Sequence, residues 1–207
     1  YGLVPNEITY SSVIHACAKG IAWQRALALF DEMRKCGLVP DVITYNCVIN
    51  ACAKGDEWQR ALDLLDEMQT CGLVPDEITY NSVIHACAKV DEWQRALDLL
   101  DEMRSRGLVP DVITYNSVIN ACAKGDQWQR ALDLLDEMRR CGLAPNEITY
   151  NSVINACAKG DECQRALALL DEMRRCGLAP NEITYNSAIN ACAKGAECHR
   201  ALALLDE

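Results

Sequence analysis

Six lysines, Lys19, Lys54, Lys89, Lys124, Lys159 and Lys194, stand 35 residues apart. Eight positions before each stands a short polar residue: Ser11, Asn46, Asn81, Asn116, Asn151 or Asn186. Evenly spaced ammonium groups suit a polyanion, and amide heads beside them suit hydrogen bonding. Neither set supplies the nucleophile, base or paired carboxylates that bond cleavage needs. The three histidines are scattered, and no His-x-Glu or Cys-x-x-Cys spacing occurs. No catalysis, cofactor or metal is therefore expected of these residues.

The lysines belong to a longer repeat. Pro5, Pro40, Pro75, Pro110, Pro145 and Pro180 keep the same interval. The chain divides without gaps into repeats over 6–40, 41–75, 76–110, 111–145 and 146–180, with a shortened repeat over 181–207 and the tail of a preceding one over 1–5. Such self-similarity signals one stacked array, and both ends are expected to be cuts through a longer one. In 41–75 the periodicity predicts two helices. Tyr45, Val48, Ile49 and Cys52 fall on one face of the first. Asp56 is placed to cap the second, with Gln59 as its capping-box partner, and Trp58, Ala61, Leu62, Leu65 and Met68 form its apolar stripe. Cys71-Gly72 ends it, with Gly72 left-handed and Pro75 blocking continuation. Each repeat is expected to be a helical hairpin, and the fold class all-α.

The other face of the first helix carries Ile43, Asn46, Asn50 and Lys54 within about an 80° arc at ~100° per residue. Stacked hairpins set their first helices side by side, so the arc repeats as a ladder along the inner surface of a superhelix. That ladder is a candidate binding surface, with His15 and His85 replacing the Asn of the Asn50 position.

A net charge of −10 opposes indiscriminate binding of polyanions. The acid is unevenly placed, however. In 41–75, Asp56, Glu57, Asp63, Asp66 and Glu67 all fall in the second-helix half, whereas the first-helix half holds only Asp41 and Lys54. Lysine inside and acid outside suit an inner anion track, while lysines near helix C-termini are also favoured by the helix dipole. The acidic second helices suit protein partners. No apolar run reaches the ~20 residues that cross a bilayer, so no membrane association is expected. Of thirteen cysteines, Cys17, Cys52, Cys87, Cys122, Cys157 and Cys192 copy one position, expected in the core, and Cys36, Cys71, Cys141 and Cys176 close second helices. So many unpaired thiols suit a reducing compartment.

The 35-residue spacing, the ITYN segment, the ACAKG ending the first helix, the RALxLxDEM of the second and the closing GLxPD or GLxPN resemble the pentatricopeptide repeat family in its plain form. The resemblance covers nearly the whole chain. Tetratricopeptide repeats instead have 34-residue units with an aromatic early in the first helix, whereas Trp58 opens the second helix. The resemblance implies a right-handed superhelical solenoid of tandem helix-turn-helix repeats. It also implies binding of single-stranded RNA, one base per repeat, in plastid or mitochondrial RNA processing or stability, with any targeting segment outside these residues.

By the same resemblance, base reading falls to Ser11 with Asp41, Asn46 with Asp76, Asn81 with Asp111, Asn116 with Asn146, Asn151 with Asn181, and Asn186 alone. The family's pairing rules then give 5′-GUUYYY-3′, with C preferred at the fourth and fifth places. The chemistry is consistent: ionised Asp only accepts, which suits the imino N–H of guanine and uracil, while Asn can donate to the bare ring nitrogen of cytosine. Ile8, Ile43, Ile78, Ile113, Ile148 and Ile183 are implied to wedge between bases, and Lys19, Lys54, Lys89, Lys124, Lys159 and Lys194 to meet phosphate. Isoleucine near a helix start also suits a hydrophobic staple, and Asp or Asn before a helix suits an N-cap. Two other functions fit the sequence: a protein-interaction scaffold, and the RNA-targeting part of a larger enzyme.

Overall fold

The computed structural model describes residues 5–195 and 197–205. Residues 1–4 of the repeat tail expected over 1–5, and residues 196, 206 and 207 of the shortened repeat, lie outside the described residues. The described elements are helices in pairs: α1 (Glu7–Lys19) with α2 (Trp23–Lys35), α3 (Val42–Lys54) with α4 (Trp58–Thr70), α5 (Glu77–Lys89) with α6 (Trp93–Ser105), α7 (Val112–Lys124) with α8 (Trp128–Arg140), α9 (Glu147–Lys159) with α10 (Cys163–Arg175), and α11 (Glu182–Lys194) with α12 (Cys198–Leu205). Each pair occupies one repeat. None of these helices is long and apolar enough to cross a membrane.

The chain forms two compact units, one of residues up to Val90 with Asp98–Val109, the other of Asp91–Leu97 with Pro110 onward. In the first, α3 packs between α1 and α5, while α2 and α4 each touch the helices before and after them. In the second, α9 packs between α7 and α11, and α8 and α10 bridge in the same way. The first helices of successive repeats thus lie side by side within each unit.

Each first helix begins at a side-chain cap. Asp41 accepts from the Thr44 backbone N–H at 2.8 Å, Asp76 from Thr79 at 2.9 Å, and Asn146 from Thr149 at 3.1 Å. The threonine hydroxyl accepts the cap residue's own N–H in return, at 3.1 Å in both Asp76–Thr79 and Asn146–Thr149. Two of the four orphan N–H groups that a helix start exposes are satisfied this way.

The helix ends explain the turns. Gly72 has φ 77°, its N–H reaches the Gln69 carbonyl at 3.0 Å, and Leu73 N–H reaches Met68 at 3.1 Å, a Schellman closure as expected. The expectation for Asp56 is corrected. It does not cap α4 with Gln59; α4 starts after Glu57 without a side-chain cap. Asp56 instead sits at φ 63°, and Glu57 N–H returns to the Cys52 carbonyl at 3.0 Å. The connector is used up closing the first helix. Asp91, Asp126 and Asp161 repeat this left-handed conformation, which Asp tolerates better than most residues.

Ile21 holds that position in the first repeat, at φ 58° and 60% exposed. A β-branched residue there is strained and gains no burial in return. Ile21→Asp is expected to stabilise the fold by about 1 kcal/mol through relief of that strain, read as a higher urea midpoint at unchanged slope.

Between the helices of a hairpin lies a core of Tyr45, Val48, Ile49, Cys52, Ala61, Leu62, Leu64, Leu65 and Met68, all buried. Its one polar tip is satisfied: Tyr45 Oη donates to Glu67 Oε1 at 2.9 Å. Tyr10–Glu32, Tyr80–Glu102, Tyr115–Glu137 and Tyr150–Glu172 copy this bond at 2.8–3.0 Å. Cys52, Cys87, Cys122, Cys157 and Cys192 are buried as expected, whereas Cys17 is half-buried. Burial pushes Cys52, Cys122 and Cys157 up to about 11, which keeps them as neutral packing groups. Repeats lock through tryptophan: a Cβ on Gly160 would lie 2.1 Å from Trp128 Cδ1, and Gly55 and Gly125 stand the same way against Trp23 and Trp93, while Val90 holds this position in the third repeat.

Candidate nucleic-acid interface

The caps and the stacking together build the ladder. Asp76 is fixed at the start of α5 by its bonds to Thr79, and α3 lies alongside, so Asn46 on α3 meets it. Asn46 Nδ2 donates to Asp76 Oδ1 at 3.1 Å and lies 3.3 Å from Oδ2. Asn116 Nδ2 donates to Asn146 Oδ1 at 3.2 Å and Asn151 Nδ2 to Asn181 Oδ1 at 3.4 Å. Ser11 and Asp41 meet through Thr44, whose hydroxyl lies 2.7 Å from both Ser11 Oγ and Asp41 Oδ1. Asn81 is half-buried, Asp111 caps α7, and Asn186 is exposed. Residues thirty positions apart in sequence are thus paired side chain to side chain.

Capping and pairing are one arrangement. The cap residue turns Oδ1 toward the helix N–H groups, which settles what remains for a ligand. An Asp keeps Oδ2, an acceptor; an Asn keeps Nδ2, a donor. Burial pushes the Asp76 carboxyl up, but the Thr79 N–H and hydroxyl, Asn46 and the Ile78 N–H outweigh it and hold it below the usual carboxylate range. Asp76 is an anion at neutral pH.

The isoleucines flank these pairs. Ile8, Ile43, Ile78, Ile113, Ile148 and Ile183 are 62–75% exposed, so none is packed as a hydrophobic staple. A cleft of about 460 Å³ is lined by Ile43 and Ile78 with Asn46 and Asp76, and by His15, Cys47, Asn50 and Ser82. In the second unit a cleft of about 390 Å³ is lined by Ile148 and Ile183 with Asn151, and by Asn120 and Asn155. Each cleft is lined by two exposed isoleucines together with hydrogen-bonding side chains.

The lysines are engaged with the protein itself. Lys54 Nζ donates to the Ala18 carbonyl at 3.1 Å, Lys159 to Lys124 at 3.0 Å and Lys194 to Lys159 at 3.5 Å, each at the C-terminal end of the preceding first helix. Lys89 reaches the Ala53 and Lys54 carbonyls at 3.3 and 3.1 Å. Four of them also pair with the left-handed aspartate of the preceding repeat: Lys89 with Asp56, Lys124 with Asp91 at 4.0 Å, Lys159 with Asp126 at 3.5 Å and Lys194 with Asp161 at 3.8 Å. Lys54 would find that carboxylate at position 21, where Ile21 stands, and Lys19 is exposed. The helix-dipole expectation holds, with the cation borrowed from the next repeat.

Sequence reasoning passes over Thr44, Thr79, Thr114, Thr149 and Thr184, all fully buried and polar. Their signal is the spacing of Asp or Asn followed three residues later by Thr, a capping box written with threonine at its far end. It also passes over the inter-repeat aspartates, whose exposed positions mimic an ordinary acidic turn.

The PPR repeat family model matches residues 5–54, 40–89, 75–124, 110–159 and 146–194, and a PPR repeat model matches 183–207. No curated protein matches. The chain is similar to the crystal structure of the pentatricopeptide repeat protein PPR10 from maize (34% identity, TM-score 0.71), over 100% of this chain and 30% of that one. It is also similar to PPR10 in complex with an 18-nt psaJ RNA element (32%, TM-score 0.70), over 99% of this chain and 28% of that one. The PPR domain of Arabidopsis thaliana protein-only RNase P 1, in complex with tRNA, shares the fold at 18% identity and TM-score 0.76, over 87% of this chain and 95% of that one. This chain therefore spans less than a third of PPR10. With family matches running from Pro5 through the last repeat, all-α hairpins stacked in tandem and solenoid neighbours at this identity, the chain belongs to the pentatricopeptide repeat family.

Proposed function

We propose that the chain is a sequence-selective single-stranded RNA-binding module that takes one base per repeat and reads 5′-GUUYYY-3′, with C preferred at the fourth and fifth places. One observation carries the reading: the cleft lined by Ile43 and Ile78 with the Asn46–Asp76 pair, taken as a slot floored by that pair. A flat base between two aliphatic walls presents its Watson-Crick edge to that floor. An Asp floor offers an acceptor to uracil or guanine; an Asn floor offers a donor to cytosine. The similar maize protein forms a complex with an RNA element, which supports RNA as the ligand class. The module has no catalysis of its own and serves RNA processing or stability in a plastid or mitochondrion.

The lysines enter this reading as phosphate contacts. Six contacts at ~0.7 ions each limit the log–log salt slope to about −4. Because Lys89, Lys124, Lys159 and Lys194 are shared with aspartates, removing those carboxylates takes away a counter-charge that competes with phosphate. Asp56, Asp91, Asp126 and Asp161 changed together to Asn, which also tolerates the left-handed turn, should tighten RNA binding and steepen the slope by up to about 0.7 per released lysine. Titrations at two or more salt concentrations read both effects; an unchanged slope removes the phosphate role.

The founding test is binding of 5′-GUUCCC-3′ against an AAGAAG mismatch at two salt concentrations. Selective, salt-sensitive binding is expected. Failure to bind either RNA favours the acidic second helices as a protein-binding surface instead.

A further inference from the structure

We infer that Thr79, and with it Thr149 and Thr184, is a specificity-determining positioning residue: its buried hydroxyl sets which edge of the neighbouring reader asparagine faces the base. The inference rests on the RNA reading above. Thr79 is fully buried, and its Oγ1 lies 2.6 Å from Asn46 Oδ1 and 2.8 Å from Asp76 Oδ1 while accepting the Asp76 N–H at 3.1 Å. A hydroxyl has one proton. Both Asn46 Oδ1 and Asp76 Oδ1 can accept that proton; Asp76 Oδ1 already receives the Thr79 N–H at 2.9 Å and Asn46 Nδ2 at 3.1 Å, so the proton is drawn chiefly to the closer Asn46 oxygen. That bond holds Oδ1 of Asn46 inward and sends Nδ2 toward Asp76. One Nδ2–H is bonded there, and the other remains as a donor for the slot.

The reverse orientation would set the Asn46 oxygen against the Asp76 carboxylate and leave the Thr79 proton to Asp76 Oδ1 alone. The same 2.6 Å contact recurs from Thr149 to Asn116 and from Thr184 to Asn151. In those repeats the second partner is an uncharged amide, so the threonine is the stronger anchor of the two. Thr79 touches neither base nor phosphate in this scheme; it acts through Asn46.

The test is Thr79→Val, which keeps the shape and removes the hydroxyl, with Thr79→Ser as the conservative control. Affinities for 5′-GUUCCC-3′, for an exchange at the second letter alone (5′-GAUCCC-3′) and for a fifth-letter exchange (5′-GUUCAC-3′) are compared. The U-over-A preference at the second letter should fall from about tenfold toward unity in Thr79→Val. It should return in Thr79→Ser, and the fifth-letter preference should stay as in wild type. A Thr79→Val chain that discriminates the second letter like wild type overturns the inference, as does one that loses every letter equally. A wild-type chain without letter preference removes the reading and the inference together. Thr184→Val carries the same loss to the fifth letter and serves if Thr79→Val melts below the assay temperature.

Discussion

Asn46→Thr together with Asp76→Asn should turn the second RNA letter from U to A. Shortening residue 46 opens the slot toward a purine, as Ser11 does in the first repeat, where its hydroxyl lies 2.7 Å from Thr44. Asn at 76 caps α5 through Oδ1, as Asn146 and Asn181 cap α9 and α11. That leaves Nδ2 to donate to the bare N1 of adenine, where the Asp76 carboxylate would face another acceptor. Asp and Asn cap helices equally well, so the fold should lose little. A wrong base costs about 1–3 kcal/mol, so a tenfold preference for U should become a tenfold preference for A. The U-to-A affinity ratio then changes by about a hundredfold, or roughly 2.7 kcal/mol. Competition between 5′-GUUCCC-3′ and 5′-GAUCCC-3′ reads it directly, and a double variant that still prefers U would end the base-reading assignment.

The exchange is tolerable because one residue does two jobs, and that duality marks the limit of what the sequence could reveal. Hairpin boundaries, the Tyr45 stripe and the Gly72 closure were legible because periodicity and left-handed glycine follow from local geometry. Ile43 exposed opposite Tyr45 was legible for the same reason. The role of Asp76 was legible as two competing readings, cap or reader, because sequence spacing cannot show that a cap's second oxygen faces α3. Asp56 went wrong for a related reason. An Asp before an apolar stripe has the signature of an N-cap, but Gly55-Asp56-Glu57 is too short to close α3 and cap α4 at once. The closure won: the Gly55 and Glu57 N–H groups both return to the Cys52 carbonyl at 3.0 Å, at the end of α3. Lys89 meeting Asp56 depends on stacking geometry between repeats and leaves no periodic trace beyond the repeat itself.

The hairpin core decides the fate of the array at high pH. Tyr45, Tyr80 and Tyr150 are buried and donate to Glu67, Glu102 and Glu172. Burial and the neighbouring carboxylates push Tyr45 and Tyr80 well above the ordinary 10.0. Burial, with bonds to Cys176 and Glu172, takes Tyr150 to about 12. A phenol raised on folding stays protonated in the native chain while the unfolded chain ionises. Its contribution is therefore complete below pH 10 and is lost as pH climbs from 10 through the folded value, opposite in sense to a carboxylate held low such as Asp76. Each such phenol removes about 1.4 kcal/mol per pH unit once the unfolded chain is ionised, so three remove about 4. Buried Cys52, Cys122 and Cys157, raised from 9.0 to about 11, act in the same sense from nearer pH 9. Urea melts between pH 7 and 11 should show stability nearly level to about pH 9 and then falling steeply. Tyr80→Phe should lose about 1 kcal/mol at pH 7 with its hydrogen bond to Glu102, yet fall less steeply above pH 10, so that the two curves converge. Parallel curves would mean that the Tyr80 hydroxyl is no more reluctant to ionise in the array than in the unfolded chain.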